Sequence, residues 1–348
     1  MFLKIKNRVE KELRLYAGSI NKLYSLNKLS PILFRSIKEF ICRDGKRVRP
    51  ILFCIGYLGF SKKTAAPPGL YRSALSLELL HDFMLVHDDI IDKSEKRRGK
   101  PSMHALLNHA LRQNKKVKFN GEDLAIVVGD VMYGMGLDAF LAVRENPLRK
   151  EAALQKLFQA ALYTGSGEFI ELLLGTKSIK KVTQRDIYKI YDYKTATYTF
   201  ASPLTMGAIL AGANPKQIET LYSYGILLGR AFQIKDDIIG TFGTVKETGK
   251  PNLTDIKEAK RTLLIWYAFN HADKKNKQVI RIIMENKITK DGQLMKIRSI
   301  ITDTGALAYA QNQIKYLCAQ ALNKILTLNM DRKYKQTLVD FSQTILKI

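Results

Sequence analysis

Ala74-Leu75-Ser76-Leu77-Glu78-Leu79-Leu80-His81-Asp82-Phe83-Met84-Leu85-Val86 is an apolar stretch at helical spacing that runs directly into His87-Asp88-Asp89-Ile90-Ile91-Asp92. On a helix, Asp88 and Asp92 stand one turn apart on the same face, so both carboxylates can approach one hard cation from the side. Magnesium suits such a pair, because it keeps several waters and is typically bound by one or two carboxylates together with phosphate oxygens of a substrate. The plain alternative is a solvated acidic helix end beside basic residues.

The same periodicity continues outward in both directions. Long segments rich in Leu, Ala, Ile, Lys and Glu recur with helical spacing, and short alternating runs bounded by Asn-Gly or Asp-Gly turns are scarce. The fold expected is all-α, a single large helical bundle around a central cavity, with residues 1–348 as one domain. Breakers are few. Ala65-Ala66-Pro67-Pro68-Gly69 separates two helices, Arg98-Gly99-Lys100-Pro101 ends another, and Gly240 to Asn252 reads as a polar loop. The most apolar run, Leu124 to Val143, is interrupted by Asp130 and Asp138 and reads as a buried core helix and not a membrane span.

Composition narrows the partners. The 57 Lys and Arg against 32 Asp and Glu give a net charge of +25, which calls for an anionic partner or surface. The cations lie in short clusters (Lys46-Arg47 with Arg49, Lys96-Arg97-Arg98, Lys115-Lys116 with Lys118) and form no single block, so nucleic acid is not expected as the main partner. Peripheral contact with a membrane stays open. The 3 cysteines, Cys42, Cys54 and Cys318, are far apart and make no metal-ligand pair, which points to a reduced, cytoplasmic setting. Charged residues interleave the stretch Met1 to Leu15, unlike a signal peptide.

A second acidic helix end, Gln233-Ile234-Lys235-Asp236-Asp237, follows the apolar run Tyr222 to Ile234. Two facing carboxylate pairs could hold several cations between them around a diphosphate. Cations then complete the set: Gly45-Lys46-Arg47-Val48-Arg49-Pro50, Arg97-Arg98, Lys194-Thr195, Lys250 and Lys260. Each alone reads as a solvated face. Arg97 and Arg98, however, lie just past Asp92, where the chain leaving the helix can return them to a metal-bound phosphate.

The ordered set resembles the trans-prenyl diphosphate synthases, the family of farnesyl and geranylgeranyl diphosphate synthases. It runs from G-K-R-x-R-P at Gly45–Pro50 through E-L-L-H at Glu78–His81, D-D-x-x-D at Asp88–Asp92 and R-R-G at Arg97–Gly99. It continues with K-T-A at Lys194–Ala196 and F-Q-x-x-D-D at Phe232–Asp237, then the lysines at 250 and 260. The resemblance implies a head-to-tail condensation of isopentenyl diphosphate with an allylic diphosphate (dimethylallyl, geranyl or farnesyl), in a homodimer. It implies that Asp88 and Asp92 bind two magnesium ions and Asp236 a third, with Asp89 and Asp237 in support. Arg97, Lys194, Thr195, Gln233, Lys250 and Lys260 would hold the allylic diphosphate. Lys46, Arg49, His81 and Arg98 would hold isopentenyl diphosphate, with Arg47 nearby. His81 has the alternative of a hydrogen-bonded core histidine.

Three positions depart from the family pattern. Gly240 stands where the second motif usually has its third Asp, Asn252-Leu253-Thr254-Asp255 lacks the glycine common before the aspartate, and Gly167-Glu168 stands for Gly-Gln. These bear on loop geometry and rate, not on reaction class. A class I terpene cyclase would not need the isopentenyl diphosphate ligands, and its second metal motif has another form. A non-catalytic subunit of a heteromeric synthase would have no need to keep them all.

Product length divides the two lines of reasoning. On an ideal wheel Leu77, His81, Met84, Asp88 and Asp92 share a stripe while Phe83 lies roughly 140° from Asp88, which favours Met84 as the floor for a growing chain. The resemblance favours Phe83, an aromatic five positions before the first Asp, as the residue that limits similar enzymes to geranylgeranyl diphosphate. The bulk of Met84 keeps farnesyl diphosphate as the alternative product.

Overall fold

The computed structural model describes residues 1–63, 65–111, 118–243, 256, 258–286 and 291–346. Among them helices dominate, and the strands are β1 (Lys96–Arg97) and β2 (Lys100–Pro101), an antiparallel pair. The all-α expectation holds, and the structure divides into two compact units.

The first unit comprises Met1–Leu154 with Met206–Gly212. It contains α1 (Phe2–Tyr24), α2 (Leu26–Leu29), α3 (Pro31–Ile41), α4 (Val48–Phe60), α5 (Leu70–Ile91), α6 (Met103–Leu111) and α7 (Gly121–Phe140). The pivot is α5, which packs along α7 and also against α1, α4 and α6. Leu70, Ala74, Leu75, Leu77, Leu79 and Val86 of α5 are all buried, which at roughly 1.5–3 kcal/mol per fully buried large aliphatic side chain fixes the helix in place. The Pro-Gly breaker works as read: Gly69 caps α5 at φ +82, and a Cβ there would come within 2.0 Å of the Ala142 carbonyl oxygen.

Two expectations change in this unit. Helix α7 is not buried all round: Ala125, Val128, Met132, Met135 and Ala139 face the core, whereas Ile126 and Val127 are exposed. The Arg98-Gly99 breaker does more than end a helix. It forms the two-residue turn of the β1–β2 hairpin, with φ +54 at Arg98 and +74 at Gly99, the doubly positive pair that such tight turns require.

The second unit comprises Gln155–Thr205 with Ala213–Ile348. Helix α8 (Pro147–Thr176) enters it, followed by α9 (Gln184–Ile190), a π-helical stretch (Tyr191–Ala201), the first turn of α10 (Ser202–Ala211), whose remainder belongs to the first unit, and α11 (Pro215–Phe242). The later helices are α12 (Leu263–His271), α13 (Lys274–Asn286), α14 (Asp291–Asp303), α15 (Ala306–Leu326) and α16 (Arg332–Leu346). The pivot here is α11, packed between the π-helical stretch and α15. Gly229 allows that approach, since a Cβ would fall 2.4 Å from the Ala196 Cα. Gly240 does not open a loop as expected: α11 continues through it to Phe242, and Arg298 Nε donates to the Thr241 carbonyl at 2.6 Å.

Candidate active site

In the first unit, α5 ends by delivering the carboxylates of the first motif. Asp92 is the C-cap, its N–H donating to the carbonyls of Asp88 and Ile90, so the one-turn relation of Asp88 and Asp92 is set by helix geometry. Asp88 keeps a quarter of its side-chain surface exposed, whereas Asp89 is fully buried. The Arg97 guanidinium holds Asp89, with Nε donating to Oδ1 at 2.8 Å and Nη2 to the same oxygen, and its Nη2 lies 3.5 Å from Asp88 Oδ2. Burial disfavours the Arg97 charge, but the bonds to Asp89 and the fields of Asp88 and Asp92 outweigh it.

Beside this pair lies a cationic cluster. Lys46 is exposed and Arg49 half-buried. Gly45 lies against two guanidinium groups; a Cβ there would come within 3.3 Å of Arg47 Nη1 and 3.5 Å of Arg98 Cζ. His81 is held neutral, first by burial and then by the charges of Arg49, Arg98, Arg97 and Arg47. An imidazole so placed accepts or donates a hydrogen bond without adding charge.

Arg47, expected near isopentenyl diphosphate, is engaged within the protein. Its side chain is wholly buried, with Nε bonded to Glu10 at 2.7 Å, Nη1 to Glu78 at 2.6 Å, and Nη2 to the Ile41 and Arg43 carbonyls at 3.1 and 2.6 Å. Every nitrogen is engaged, so Arg47 is a bolt joining α1, α5 and the chain before α4, not a hand for phosphate. Asp82, which sequence reasoning passed over, is buried in the same cluster, 3.6 Å from Arg98 Nη2. The signal was present as a carboxylate one turn after Glu78 in an otherwise apolar run.

Phe83 turns toward α7. Its ring packs edge-on against His87 at 4.7 Å and against Tyr133 at 5.4 Å between centroids. Met84, its neighbour, is half-buried.

In the second unit, α11 delivers the second motif with a sharp division of labour. Asp236 is exposed; Asp237 is buried. A hydrogen-bonded chain fixes the buried carboxylate: Thr195 Oγ1 donates to Gln233 Oε1 at 2.6 Å, Gln233 Nε2 donates to Asp237 Oδ1 at 2.9 Å, and the Tyr191 hydroxyl donates to Asp237 Oδ2. Burial, then the Asp237 charge, push the Tyr191 phenol well above its ordinary range, which keeps it a donor. Tyr191 was not singled out from sequence, nor was Arg230, whose guanidinium grips Asp192 through two bonds of 2.6 Å.

Lys194 and Thr195 ride on the π-helical stretch, a rare geometry often found at functional sites. The Lys194 ammonium lies 2.5 Å from Glu168 and 2.6 Å from Glu171, so the Glu of Gly167-Glu168 serves as its counter-ion. Lys260 pairs with Glu258 at 2.7 Å. Lys250 and the Asn252–Asp255 segment lie outside the described residues.

Aspartate-bearing helix ends beside clustered cations suit a metal-bound diphosphate, and the similarity to polyprenyl synthetases makes this all-helical chain a prenyltransferase. The polyprenyl synthetase family profile matches residues 30–301, and the chain belongs to that family. It is 29% identical over 338 residues to a short chain isoprenyl diphosphate synthase of Methanocaldococcus jannaschii, covering 97% of this chain and 93% of that protein. It is 32% identical over 288 residues to a geranylfarnesyl diphosphate synthase of Aeropyrum pernix, covering 81% and 83%. A crystal structure of geranylgeranyl pyrophosphate synthase from Corynebacterium glutamicum, complexed with isoprenyl diphosphate and magnesium, superposes with a TM-score of 0.90 at 26% identity, covering 99% of this chain and 98% of that one.

Proposed function

We propose that this chain lengthens an allylic diphosphate with isopentenyl diphosphate in a magnesium-dependent, head-to-tail condensation, releasing diphosphate and yielding geranylgeranyl diphosphate. The observation that carries the reading is the split within each acidic motif. One aspartate is buried and spent on holding neighbours, Asp89 on Arg97 and Asp237 on Gln233 and Tyr191. The others, Asp88 and Asp236, keep solvent access. A purely structural acidic helix end has no use for that division.

The donor set fits magnesium. Among the described residues no group of three or more His, Cys, Asp or Glu side chains could hold a metal by itself, and magnesium characteristically completes its shell with waters and substrate phosphate. Asp88 and Asp92 would bind two ions and Asp236 a third, with Asp89 and Asp237 behind them. Bound there, the ions would neutralise charge developing on the departing diphosphate. Arg97, Lys194, Thr195, Gln233, Lys250 and Lys260 hold the allylic diphosphate, and positive charge beside it stabilises the same leaving group. Lys46, Arg49, His81 and Arg98 hold isopentenyl diphosphate. Apolar side chains around the reacting carbons would keep water from the allylic cation until the second substrate's double bond attacks it.

The product assignment draws on Phe83 and on relatives named geranylgeranyl diphosphate synthase, such as that of Saccharolobus solfataricus, 29% identical over 335 residues. A homodimer is supported by the exposed apolar stripe Phe158, Leu162, Phe169, Leu172 and Leu173 on α8. The three free cysteines accord with a cytoplasmic location, and among the described residues no helix is long and apolar enough to cross a membrane. Incubating the purified protein with each allylic primer, isopentenyl diphosphate and magnesium, and sizing the dephosphorylated products, tests the whole reading. Absence of any magnesium-dependent diphosphate release overturns it.

A further inference from the structure

Asp82 lies on α5 with none of its surface exposed, and neither carboxylate oxygen has a hydrogen-bond partner among the described residues. A buried polar group left without partners is costly, and a buried charge more so. Its ion-pair contact is Arg98, whose Nη2 stands 3.6 Å from Asp82 Oδ1 and 3.7 Å from Glu78 Oε1, too far for a hydrogen bond to either. The Arg98 Nη1 is likewise buried without a hydrogen-bond partner. The contrast with Arg47, saturated by four partners in the same cluster, is sharp. Arg98 is near two acids and committed to neither, on a hairpin turn whose backbone sets its direction.

We propose that Asp82 is a proton-gated competitor for Arg98: as a neutral acid it leaves the guanidinium to the diphosphate of isopentenyl diphosphate, and as a carboxylate it claims the guanidinium and repels the incoming anion. The inference rests on the reading of Arg98 as a ligand of that substrate. Asp82 is thus a positioning residue, acting through Arg98.

The groups that face Asp82 set where the gate works. Burial, then the charge of Glu78 on the same helix, raise the acid, Arg98, Arg47 and Arg49 pull it partly back, and the balance leaves it at about 8. The adjacent His81 stays neutral and contributes no charge. Below its titration point the acid is protonated with or without substrate, and affinity is insensitive to pH. Above its titration point the free enzyme carries the carboxylate, so binding must take one proton from solvent. Affinity then falls about tenfold per pH unit, which between pH 7 and 9 amounts to about tenfold for a group titrating near 8.

The test compares the full-length enzyme with Asp82→Asn, which keeps the shape but cannot ionise. Michaelis constants for isopentenyl diphosphate and for the allylic primer are measured from pH 7 to 9. The wild-type constant for isopentenyl diphosphate is expected to climb about tenfold relative to that of the variant, while the allylic constants move in parallel. Parallel profiles for both substrates overturn the proposal, since a merely structural Asp82 alters stability and not the pH profile of one substrate. Calorimetry of isopentenyl diphosphate binding to wild-type enzyme at pH 8.5, in two buffers of different ionisation enthalpy, is independent of how the variant folds. Uptake approaching one proton is expected, and none overturns the gate. Arg98→Ala separates the two levels: an unchanged Michaelis constant for isopentenyl diphosphate brings down the ligand assignment itself.

Discussion

Asp89 and Arg97 form a buried ion pair that ties the end of α5 to the first strand of the hairpin after it, with Arg97 leaning on toward Asp88. On the proposed reading the pair aims a cation at the metal-bound phosphate, while Asp88 stays accessible. Asp89→Asn should therefore act through Arg97. Loss of aim is expected to cost on the order of a hundredfold in kcat/KM, together with roughly 3–5 kcal/mol of stability from an uncompensated buried charge. Steady-state kinetics and chemical denaturation of the same variant measure both, and wild-type kinetics would remove the aiming role.

Asp88→Ala and Arg47→Ala should give opposite signatures. Asp88 is partly exposed and is proposed as a metal ligand, so its loss is expected to lower turnover by about a hundredfold or more with little change in melting temperature. Asp92→Ala should do the same. Arg47 sits with its side chain fully buried between Glu10 and Glu78, so its removal is expected to cost roughly 3–5 kcal/mol of stability. Thermal melts beside turnover numbers decide the matter. A stable, inactive Arg47→Ala would return Arg47 to the substrate site.

This contrast marks what could be read from the chain. The 3.6-residue periodicity that places Asp88 and Asp92 on one face is a local property, so the helix and its acidic end were legible. The fate of Arg47 was not, because Gly45-Lys46-Arg47 reads as solvated cations, and what buries Arg47 lies 37 residues away at Glu10 and 31 away at Glu78. Tyr191 reaches Asp237 across 46 residues and escaped for the same reason. Gly240 misled in the other direction. A glycine inside a helix costs only about 1 kcal/mol, less than tertiary contacts such as that of Arg298 with Thr241 can return.

Adjacent Arg97 and Arg98 should serve different substrates. Arg97 is bound to the metal-motif carboxylates, whereas Arg98 stands in the cluster with Glu78 and Asp82. Arg98→Ala is expected to raise the Michaelis constant for isopentenyl diphosphate more than that for the allylic primer, and Arg97→Ala to show the reverse bias. Both kcat and KM are needed for each substrate, because loss of uniform binding raises KM without lowering turnover. Equal effects on the two substrates would refute the division of labour.

Within the second motif, Asp236→Ala should abolish most turnover while Gly240→Asp is tolerated. Asp236 is exposed near the end of α11, and Gly240 occupies the same helix one turn later, half-buried. An aspartate at 240 gives the spacing of the first motif, and an ordinary residue costs a helix less than the glycine it replaces. Turnover against magnesium concentration for both variants is the measurement. A Gly240→Asp enzyme that folds but is dead would show that this end of α11 is not where the third carboxylate belongs.

Product length should follow Phe83 more than Met84. The wheel places Met84 on the Asp88 stripe, but Phe83 is the residue whose ring is locked, edge-on to His87 and tilted against Tyr133 of α7. A locked aromatic is a wall, whereas an unbranched methionine can rearrange around a growing chain. Phe83→Ala is therefore expected to release products longer than geranylgeranyl diphosphate, and Met84→Ala to give a smaller shift. Deleting Phe83 also removes its ring contacts with His87 and Tyr133, so some loss of stability should accompany the change in product, smaller than at a fully buried site because Phe83 is half-buried. Chromatographic sizing of the dephosphorylated products separates the outcomes. A larger shift from Met84→Ala would make Met84 the floor, and destabilised variants with unchanged products would make both residues ordinary core.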